Sequence, residues 1–501
     1  MTAEQHRAAD PAASVWVTAS AGTGKTRVLT ERVLRLLLSG TEPGRILCLT
    51  FTRAAAAEMA IRITRTLGEW TAAADEILDN ALGELLDRAP ESEEIRRARL
   101  LFARVLETPG GMKILTIHGF CQSLLRRFPL EAGIAPQFAV ADERTARELL
   151  NEAQNRLLRH VRGGGDAELG DAFSRIAAQV GEENFSKLMG ELTAARDKLP
   201  GDLGGQGDSA NMVAAIASML DVRHNESDEE LAQASCANDA FVHAALLEAV
   251  AALLQGSDTD KARGQLIADW LAGDETVRMA GLTAYSEIFI TRDGKARKTL
   301  ATKPVREAAP DIAKSLIDEQ ARLLALQERR MALGVMHNSV ALIRFGARML
   351  HYYQQEKSAR AVLDYGDQIM ETRKLLSAED IAPWVLYKLD GGLDHILVDE
   401  SQDTSPAQWS VIAALAEEFF AGESAQEGAR TIFAVGDEKQ SIFSFQGADP
   451  EALADMRAAF RQRVEDAHRE WREVPLERSF RSTAAVLSAV DAVFADADAA
   501  A

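Results

Sequence analysis

The run Ser14-Val-Trp-Val-Thr18, followed by Ala19-Ser-Ala-Gly-Thr-Gly-Lys-Thr26, constrains the fold more than any other stretch of this chain. A short apolar, β-prone run stops at a glycine-rich loop, and Arg27 to Leu38 then carries apolar residues at helical spacing. A strand that turns through such a loop directly into a helix can wrap backbone N–H groups around phosphates at the helix N-terminus. Ala19, Ser20, Ala21, Gly22, Thr23 and Gly24 form the loop, with Lys25 and Thr26 placed to address the terminal phosphate and Mg²⁺. The general pattern has Gly at the first position, where this chain has Ala19.

A second segment far along the chain complements the first. Ile396-Leu-Val-Asp-Glu-Ser-Gln-Asp403 ends an apolar run on two adjacent carboxylates. Asp399 can bind the metal through water, and Glu400 can activate a water. A solvated strand terminus is the bland alternative, but a phosphate loop elsewhere in the chain favours NTP hydrolysis. Ala434-Val-Gly-Asp-Glu-Lys-Gln440 adds a third strand-end loop, in which the Gln440 amide can sense a γ-phosphate or its attacking water. Phe443 and Phe445 follow it. They suit stacking on unpaired bases, worth about 1–3 kcal/mol per base, and equally suit a half-buried strand.

At 501 residues the chain suggests about three domains. Its 47% hydrophobic and 26% charged residues mark a globular protein and exclude a disordered one. No stretch reaches the roughly 20 apolar residues that span a bilayer, and Met-Thr-Ala-Glu-Gln-His-Arg lacks an export signal, so a cytoplasmic location without membrane contact is expected. Cys48, Cys121 and Cys236 lack metal-ligand spacing and are expected as free buried thiols. A net charge of −20 disfavours nonspecific nucleic-acid binding, although a local basic groove can sit on an acidic body. Arg126-Arg127, and Arg292, Lys295, Arg297, Lys298 and Lys303 around Asp293-Gly294, are candidate basic clusters. The second reads either as a solvated hairpin tip or as a contact to duplex backbone.

Strand-like runs at 14–18, 45–50, 112–117, 395–398, 431–435 and 474–476 alternate with helical patterns. Such alternation implies an α/β fold: a parallel sheet with helices on both faces and its ligand at the carboxyl ends of the strands. From about 142 to 364 the pattern is Ala-, Leu-, Glu- and Arg-rich with helical spacing, broken at Gly163-Gly-Gly165 and at 200–207. It predicts a large, mostly α-helical insertion. A shorter helical excursion, 68–106, separates the second and third strands.

Seven ordered blocks resemble the superfamily 1 DNA helicases of the UvrD/RecB kind, most closely the AddA helicase-nucleases. The blocks are Glu4-Gln5; Ala19 to Thr26; Leu49-Thr-Phe-Thr-Arg-Ala-Ala-Ala-Ala-Glu-Met59; Thr116-Ile-His-Gly-Phe-Cys121; Val398-Asp-Glu-Ser-Gln-Asp-Thr404; Val435 to Ala448; and Pro475-Leu-Glu-Arg-Ser-Phe-Arg-Ser482. Ala19 is the form of the phosphate loop in this branch, and Phe128-Pro-Leu-Glu-Ala-Gly133 is similar to AddA in particular.

The resemblance implies a RecA-like P-loop NTPase fold. It divides the chain into a first motor domain in two parts, 1–141 and 365–481, a 1B-like helical insertion at 142–364, and the start of a second motor domain at 482–501. It also implies roles: Gln5 reads the adenine, Lys25 and Thr26 hold phosphates and Mg²⁺, Asp399 the metal, and Glu400 the attacking water. Gln440 couples the γ-phosphate to DNA, and Arg481 reaches the γ-phosphate as a finger. Thr50, Phe51, His118, Phe443 and Phe445 fall where the family contacts single-stranded DNA. Phe445 and Gln446 replace a frequent Trp and Arg of UvrD-like members. The expected ligands are ATP and Mg²⁺, and the expected partners are single-stranded and duplex DNA and an AddB-like protein.

No Thr-Ala-Ser-Arg-like finger and no nuclease-type cluster follows Arg481, so an N-terminal portion of a longer 3′-to-5′ helicase is expected. Two other classes stay open: a noncatalytic ATP- and single-stranded-DNA-binding segment, and a small-molecule kinase. The second would need a compact acceptor pocket.

Overall fold

The computed structural model describes residues 2–196, 206–223, 225–390, 392–420, 429–441 and 449–495. They fall into two units, Met1–Ala146 with Ser358–Ala501, and Arg147–Lys357. The strands are β1 (Ser14–Ala19), β2 (Ile46–Thr50), β3 (Lys113–Thr116), β4 (Ala139–Val140), β5 (Val362–Leu363), β6 (His395–Val398), β7 (Thr431–Gly436) and β8 (Trp471–Leu476).

Six of them form one sheet in the order β3-β2-β6-β7-β1-β8, and every pairing in it is parallel. The expected α/β architecture is therefore present, with the expected strands in place to within a few residues. Alternation along each strand feeds two cores. Trp16, Leu47, Leu49, Ile396, Val398, Ile432 and Ala434 pack on one face, against helices that include Ile117–Arg127, Tyr365–Ser377 and Pro406–Phe420. Val15, Val17, Ile46, Cys48, Leu397, Phe433 and Val435 pack on the other, against Lys25–Leu38, Arg53–Ala72, Asp75–Leu86 and Ser92–Glu107. Strands buried on both faces read as continuous apolar runs, which made them visible in the sequence. Trp471, Arg472 and Glu473 belong to β8 but lack that signal, because β8 pairs only with β1 at the sheet's edge. Pro475 is tolerated on such a strand.

β4 and β5 pair in parallel as a separate ribbon, with Ala139 N–H donating to Ala361 O at 2.9 Å and Ala141 N–H to Leu363 O at 2.9 Å. Two-residue strands leave no periodic pattern, and the sequence did not disclose them. All three cysteines are free and buried.

Two buried polar residues fasten the sheet unit. Arg32 is fully buried and spreads its guanidinium over Ala8 O (3.3 Å), Asp10 O (2.5 Å), Ala13 O (2.6 Å) and Thr431 Oγ1 (3.0 Å). One side chain thus ties the N-terminal segment to the helix after β1 and to β7. His395 sits at the opposite end of the strands from the glycine-rich loop, its Nδ1 2.8 Å from Thr431 Oγ1.

Burial, then the Arg32 charge, pushes the His395 imidazole down to about 3. An unfolded histidine titrates near 6.5. From pH 6.5 down to about 3 the unfolded chain therefore binds one more proton than the native one at this site. Stability falls as the pH drops, with a slope approaching about 1.4 kcal/mol per pH unit. Urea titrations of the wild type and His395→Gln between pH 7 and 4 should converge toward low pH. Parallel curves would show that this histidine does not set the acid limit.

The second unit, Arg147–Lys357, is helical among its described residues, apart from a hairpin whose Ile290 and Ala296 bridge antiparallel. Its core stacks Trp270 on Tyr285, with ring centroids 3.9 Å apart, and adds Phe241, Phe289 and Leu316. The Tyr285 hydroxyl donates to Glu319 Oε1 at 2.8 Å, and Arg322 holds the same carboxylate at 2.6 Å. The 50-residue helix Pro310–Ala359 runs along this core. Among the described residues, no helix is long and apolar enough to cross a membrane.

Candidate functional site

Parallel strands deliver all their C-terminal loops to one edge, and here each loop carries one of the sequence blocks. β1 leads to the glycine-rich loop and β2 to Phe51. β3 leads to His118, β6 to Asp399 and Glu400, β7 to residues 437–440, and β8 to residues 478–482. Register fixes their neighbours: Thr50 lies opposite Thr116, Val398 opposite Leu49 and Ala434, and Ala19 opposite Leu476.

In the glycine-rich loop, Thr23 is buried and its hydroxyl donates to Ser20 O at 2.8 Å. Gly24 starts the helix Lys25–Leu38 in the left-handed region with no side-chain cap, leaving that helix N-terminus open to an anion. Lys25 Nζ donates to Glu400 Oε2 at 3.0 Å, so the first and second sequence segments face each other across the edge. Thr26 is the second residue of that helix and half-buried.

Asp399 is 5% exposed, and its Oδ1 accepts from the Glu400 N–H at 3.0 Å. Burial first, and then the Glu400 charge, pushes its carboxyl up to about 6. The same two causes push Asp403 up to about 6. A buried carboxylate held at a cost in this way is a natural partner for a cation. One carboxylate and one hydroxyl, Asp399 and Thr26, suit Mg²⁺, which keeps several waters and takes further oxygens from phosphate. Among the described residues, no cluster of three or more His, Cys, Asp or Glu could form a metal cage.

Gln402 is the residue whose part the sequence did not disclose. Its Nε2 donates to Glu400 Oε2 at 2.8 Å and to Asp403 Oδ2 at 3.0 Å, while its Oε1 accepts the Asp437 N–H at 2.9 Å. It thereby aims the Glu400 carboxylate and couples the β6 loop to the β7 loop that carries Gln440. Gln440 is exposed at the end of the short 3₁₀ turn Glu438–Gln440. β7 passes so close that a Cβ added at Gly436 would run into Ser401 Oγ and lie 2.7 Å from Gln402 Oε1.

At the other end of the site, the segment after β8 folds over the glycine-rich loop. Phe480 N–H donates to Gly22 O at 2.8 Å, and Ser479 Oγ donates to Ala21 O at 3.3 Å. Gly22 has φ +76°, and a Cβ there would meet Arg481 Cβ at 2.5 Å. Gly22→Ala should cost about 1–2 kcal/mol in backbone strain and displace Arg481. A thermal melt with a parallel nucleotide titration checks both losses.

Gln5 is buried, and its Nε2 donates to Thr23 O at 3.0 Å. A capping box with Thr2 begins its helix, Ala3–Ala8, and the Arg35 guanidinium braces that helix at His6 O, 3.1 Å. Gln5, Thr23, Arg478 and Phe480 line a cleft of about 400 Å³ beside the loop. Phe480 is 57% exposed, an aromatic face next to an amide. In the sequence Phe480 stood inside one of the family blocks with no part of its own.

The predicted DNA-contact residues fall at the β2 and β3 ends. Thr50 is buried, with its hydroxyl donating to Thr52 O at 3.0 Å, and Phe51 is half-buried. His118 meets Tyr365 edge-on, ring centroids 5.5 Å apart, and burial holds its imidazole below the usual range. Phe443 and Phe445 lie outside the described residues.

Residues 1–461 match the UvrD/REP helicase N-terminal domain family. The chain is 27% identical over 98% of its length to an ATP-dependent helicase/nuclease of Pelotomaculum thermopropionicum, the larger-named "A" chain of that enzyme, of which it covers 38%. It is 26% identical over 95% of its length to the protein of the same name from Anoxybacillus flavithermus, again covering 38%. The Levilactobacillus brevis protein of that name is 28% identical over 87% of the chain, which covers 34% of it. The six-stranded parallel sheet, the strand-end motifs and the match over residues 1–461 agree, and the chain belongs to the UvrD/REP helicase N-terminal domain family.

Proposed function

We propose that this chain is the ATP-binding motor portion of an ATP-dependent DNA helicase of double-strand-break repair, with 3′-to-5′ polarity. The observation that carries this reading is the convergence of the glycine-rich loop, Asp399, Glu400 and segment 478–482 on one edge, with Lys25 held 3.0 Å from Glu400. The sheet parts 1–141 and 365–481 form the first motor domain, 142–364 a 1B-like insertion, and 482–501 the beginning of the second motor domain.

In this mechanism Gln5 and Phe480 recognise the adenine in the cleft beside Thr23. The main chain from Ala19 to Gly24 cradles the phosphates, and the Lys25 ammonium leaves Glu400 for the γ-phosphate. Mg²⁺ held by Thr26 and Asp399 supplies charge neutralisation at the phosphates. Freed of Lys25 and still gripped by Gln402, the Glu400 carboxylate accepts the proton of the attacking water. Arg481 stabilises the charge that develops on the transferred group. Gln440, through the β7 loop, reports the phosphate state to DNA bound along Thr50, Phe51, His118, Phe443 and Phe445.

The relatives are named as single chains of a multi-chain enzyme, and with the resemblance to AddA this supports an AddB-like partner. A second reading, a noncatalytic ATP- and single-stranded-DNA-binding segment, is favoured by the chain spanning 38% of its first relatives' length. Mg²⁺-ATP hydrolysis with and without single-stranded DNA separates the two. DNA-stimulated turnover supports the motor, and binding without turnover supports the segment.

Gln402→Ala should lower turnover more than nucleotide affinity. It releases Glu400 while leaving Lys25 and the phosphate cradle in place. Equal losses in kcat and affinity would show that Gln402 acts only on the fold.

A further inference from the structure

A groove of about 520 Å³ in the helical unit is independent of the nucleotide site. Two helices form its walls. Thr283, Ser286 and Glu287 come from Glu275–Phe289, and Leu323, Leu326, Gln327, Arg330 and Met331 come from Pro310–Ala359. Positions three to four apart on each helix put these residues in two facing stripes. Ile290 (6% exposed) and Leu323 (1%) are its buried apolar lining, and Met331 stands 57% exposed.

The hairpin at Asp293-Gly294 closes one end and is firmly held. Gln320 Nε2 donates to Phe289 O at 2.7 Å and to Arg297 O at 3.1 Å, and Thr291 N–H donates to Lys295 O at 2.8 Å. Along the opposite rim Arg330 is engaged twice by Asp228, at 2.7 and 2.5 Å.

The charge at the closed end is cationic. Arg292, Lys295, Arg297 and Lys298 lie within one hairpin of a chain whose net charge is −20. The Arg292 and Lys295 side chains are 90% and 81% exposed, and their ion pairs to Glu287 (3.9 Å) and Asp293 (3.3 Å) are open to water. Exposed pairs of this kind hold their partners weakly and yield to a better anion.

The sequence alone offered duplex backbone as the partner of this hairpin. A phosphate backbone satisfies the cations but leaves the apolar lining empty. A peptide satisfies both, because one large apolar side chain fills the lining and flanking carboxylates reach the rim. Met331 suits such an anchor, since its flexible thioether adapts to the side chain that enters. We propose that this groove docks an acidic peptide segment of a partner protein, anchored by one bulky aromatic or aliphatic side chain.

The test is selection of a random displayed peptide library on the 501-residue chain. The best peptide is then titrated, fluorescently labelled, against the wild type, Met331→Glu and Arg292→Glu/Lys295→Glu. All three substituted residues are exposed, so the variants should fold as the wild type does, and circular dichroism checks this. The expected peptides combine Asp or Glu with one aromatic or large aliphatic residue. Their affinity should fall at least about tenfold in each variant and weaken with added salt, while Mg²⁺-ATP binding stays unchanged. Peptides lacking that composition, or affinity unaltered in both variants, would overturn the proposal. So would loss of duplex-DNA affinity in Met331→Glu with peptide affinity intact, which would assign the groove to nucleic acid.

Discussion

Glu400→Gln should lower Mg²⁺-ATP turnover by about 10²- to 10⁴-fold while leaving nucleotide affinity equal to or greater than that of the wild type. The opposite signs of the two effects follow from the geometry. Of the two adjacent carboxylates, Glu400 is the one paired to Lys25, at 3.0 Å, and Gln402 holds the same oxygen at 2.8 Å. An amide in its place cannot take the proton of an attacking water. It also removes a negative charge from beside the phosphates and frees the Lys25 ammonium to meet them. The pair itself contributes little to the fold, because Glu400 is 38% exposed. Its φ of +48° is unchanged by the substitution, so the strained backbone turn that presents the side chain remains. A variant that lost affinity and turnover together would show that Glu400 builds the site instead of working in it.

Arg32→Ala should destabilise the sheet unit by about 3–5 kcal/mol, far from any group that meets substrate. The guanidinium satisfies three backbone carbonyls and the Thr431 hydroxyl inside a region closed to water. It also lies 5.1 Å from the centre of the Phe433 ring. Burial lowers it to about 9, so it is still a cation at neutral pH. Truncation leaves buried acceptors without donors, each costing about 1–3 kcal/mol. Arg32→Lys should recover only part of the loss, since an ammonium cannot span acceptors that a planar fork reaches together. Urea unfolding of the three proteins checks the order wild type, Lys, Ala. Residues 8–13 continue directly from the Gln5 helix, so the same loss should loosen the adenine cleft.

The parts of this molecule that were legible in the sequence share a cause. Strands buried on both faces must be apolar throughout, and loops that cradle phosphate must be glycine-rich, so composition there follows directly from structure. β1, β6 and β7 were therefore readable, as were the glycine-rich loop and the carboxylates at Asp399 and Glu400. The free cysteines followed from spacing alone.

What stayed hidden depends on partners that only folding brings together. Arg32 is an ordinary helical arginine until the N-terminal segment folds over it. Gln402 was one letter in a block, and its bridge from Glu400 to the Asp437 N–H needs β6 and β7 side by side. Phe480 acquired a setting only when its N–H bonded Gly22, a residue from the far end of the chain. The β4–β5 ribbon, two residues on each side, was too short for any periodicity. The groove beside the Asp293-Gly294 hairpin arises from two helices whose facing stripes look like ordinary core in sequence.

The most direct test of the nucleotide site is a calorimetric titration of the 501-residue chain with Mg²⁺ and a nonhydrolysable ATP analogue, repeated for Lys25→Ala and Glu400→Gln. One site per chain is expected in the wild type, with affinity retained or raised in Glu400→Gln. Removal of the Lys25 ammonium should weaken binding at least about tenfold. No binding in the wild type, or equal binding in Lys25→Ala, would contradict the assignment of this sheet edge to ATP.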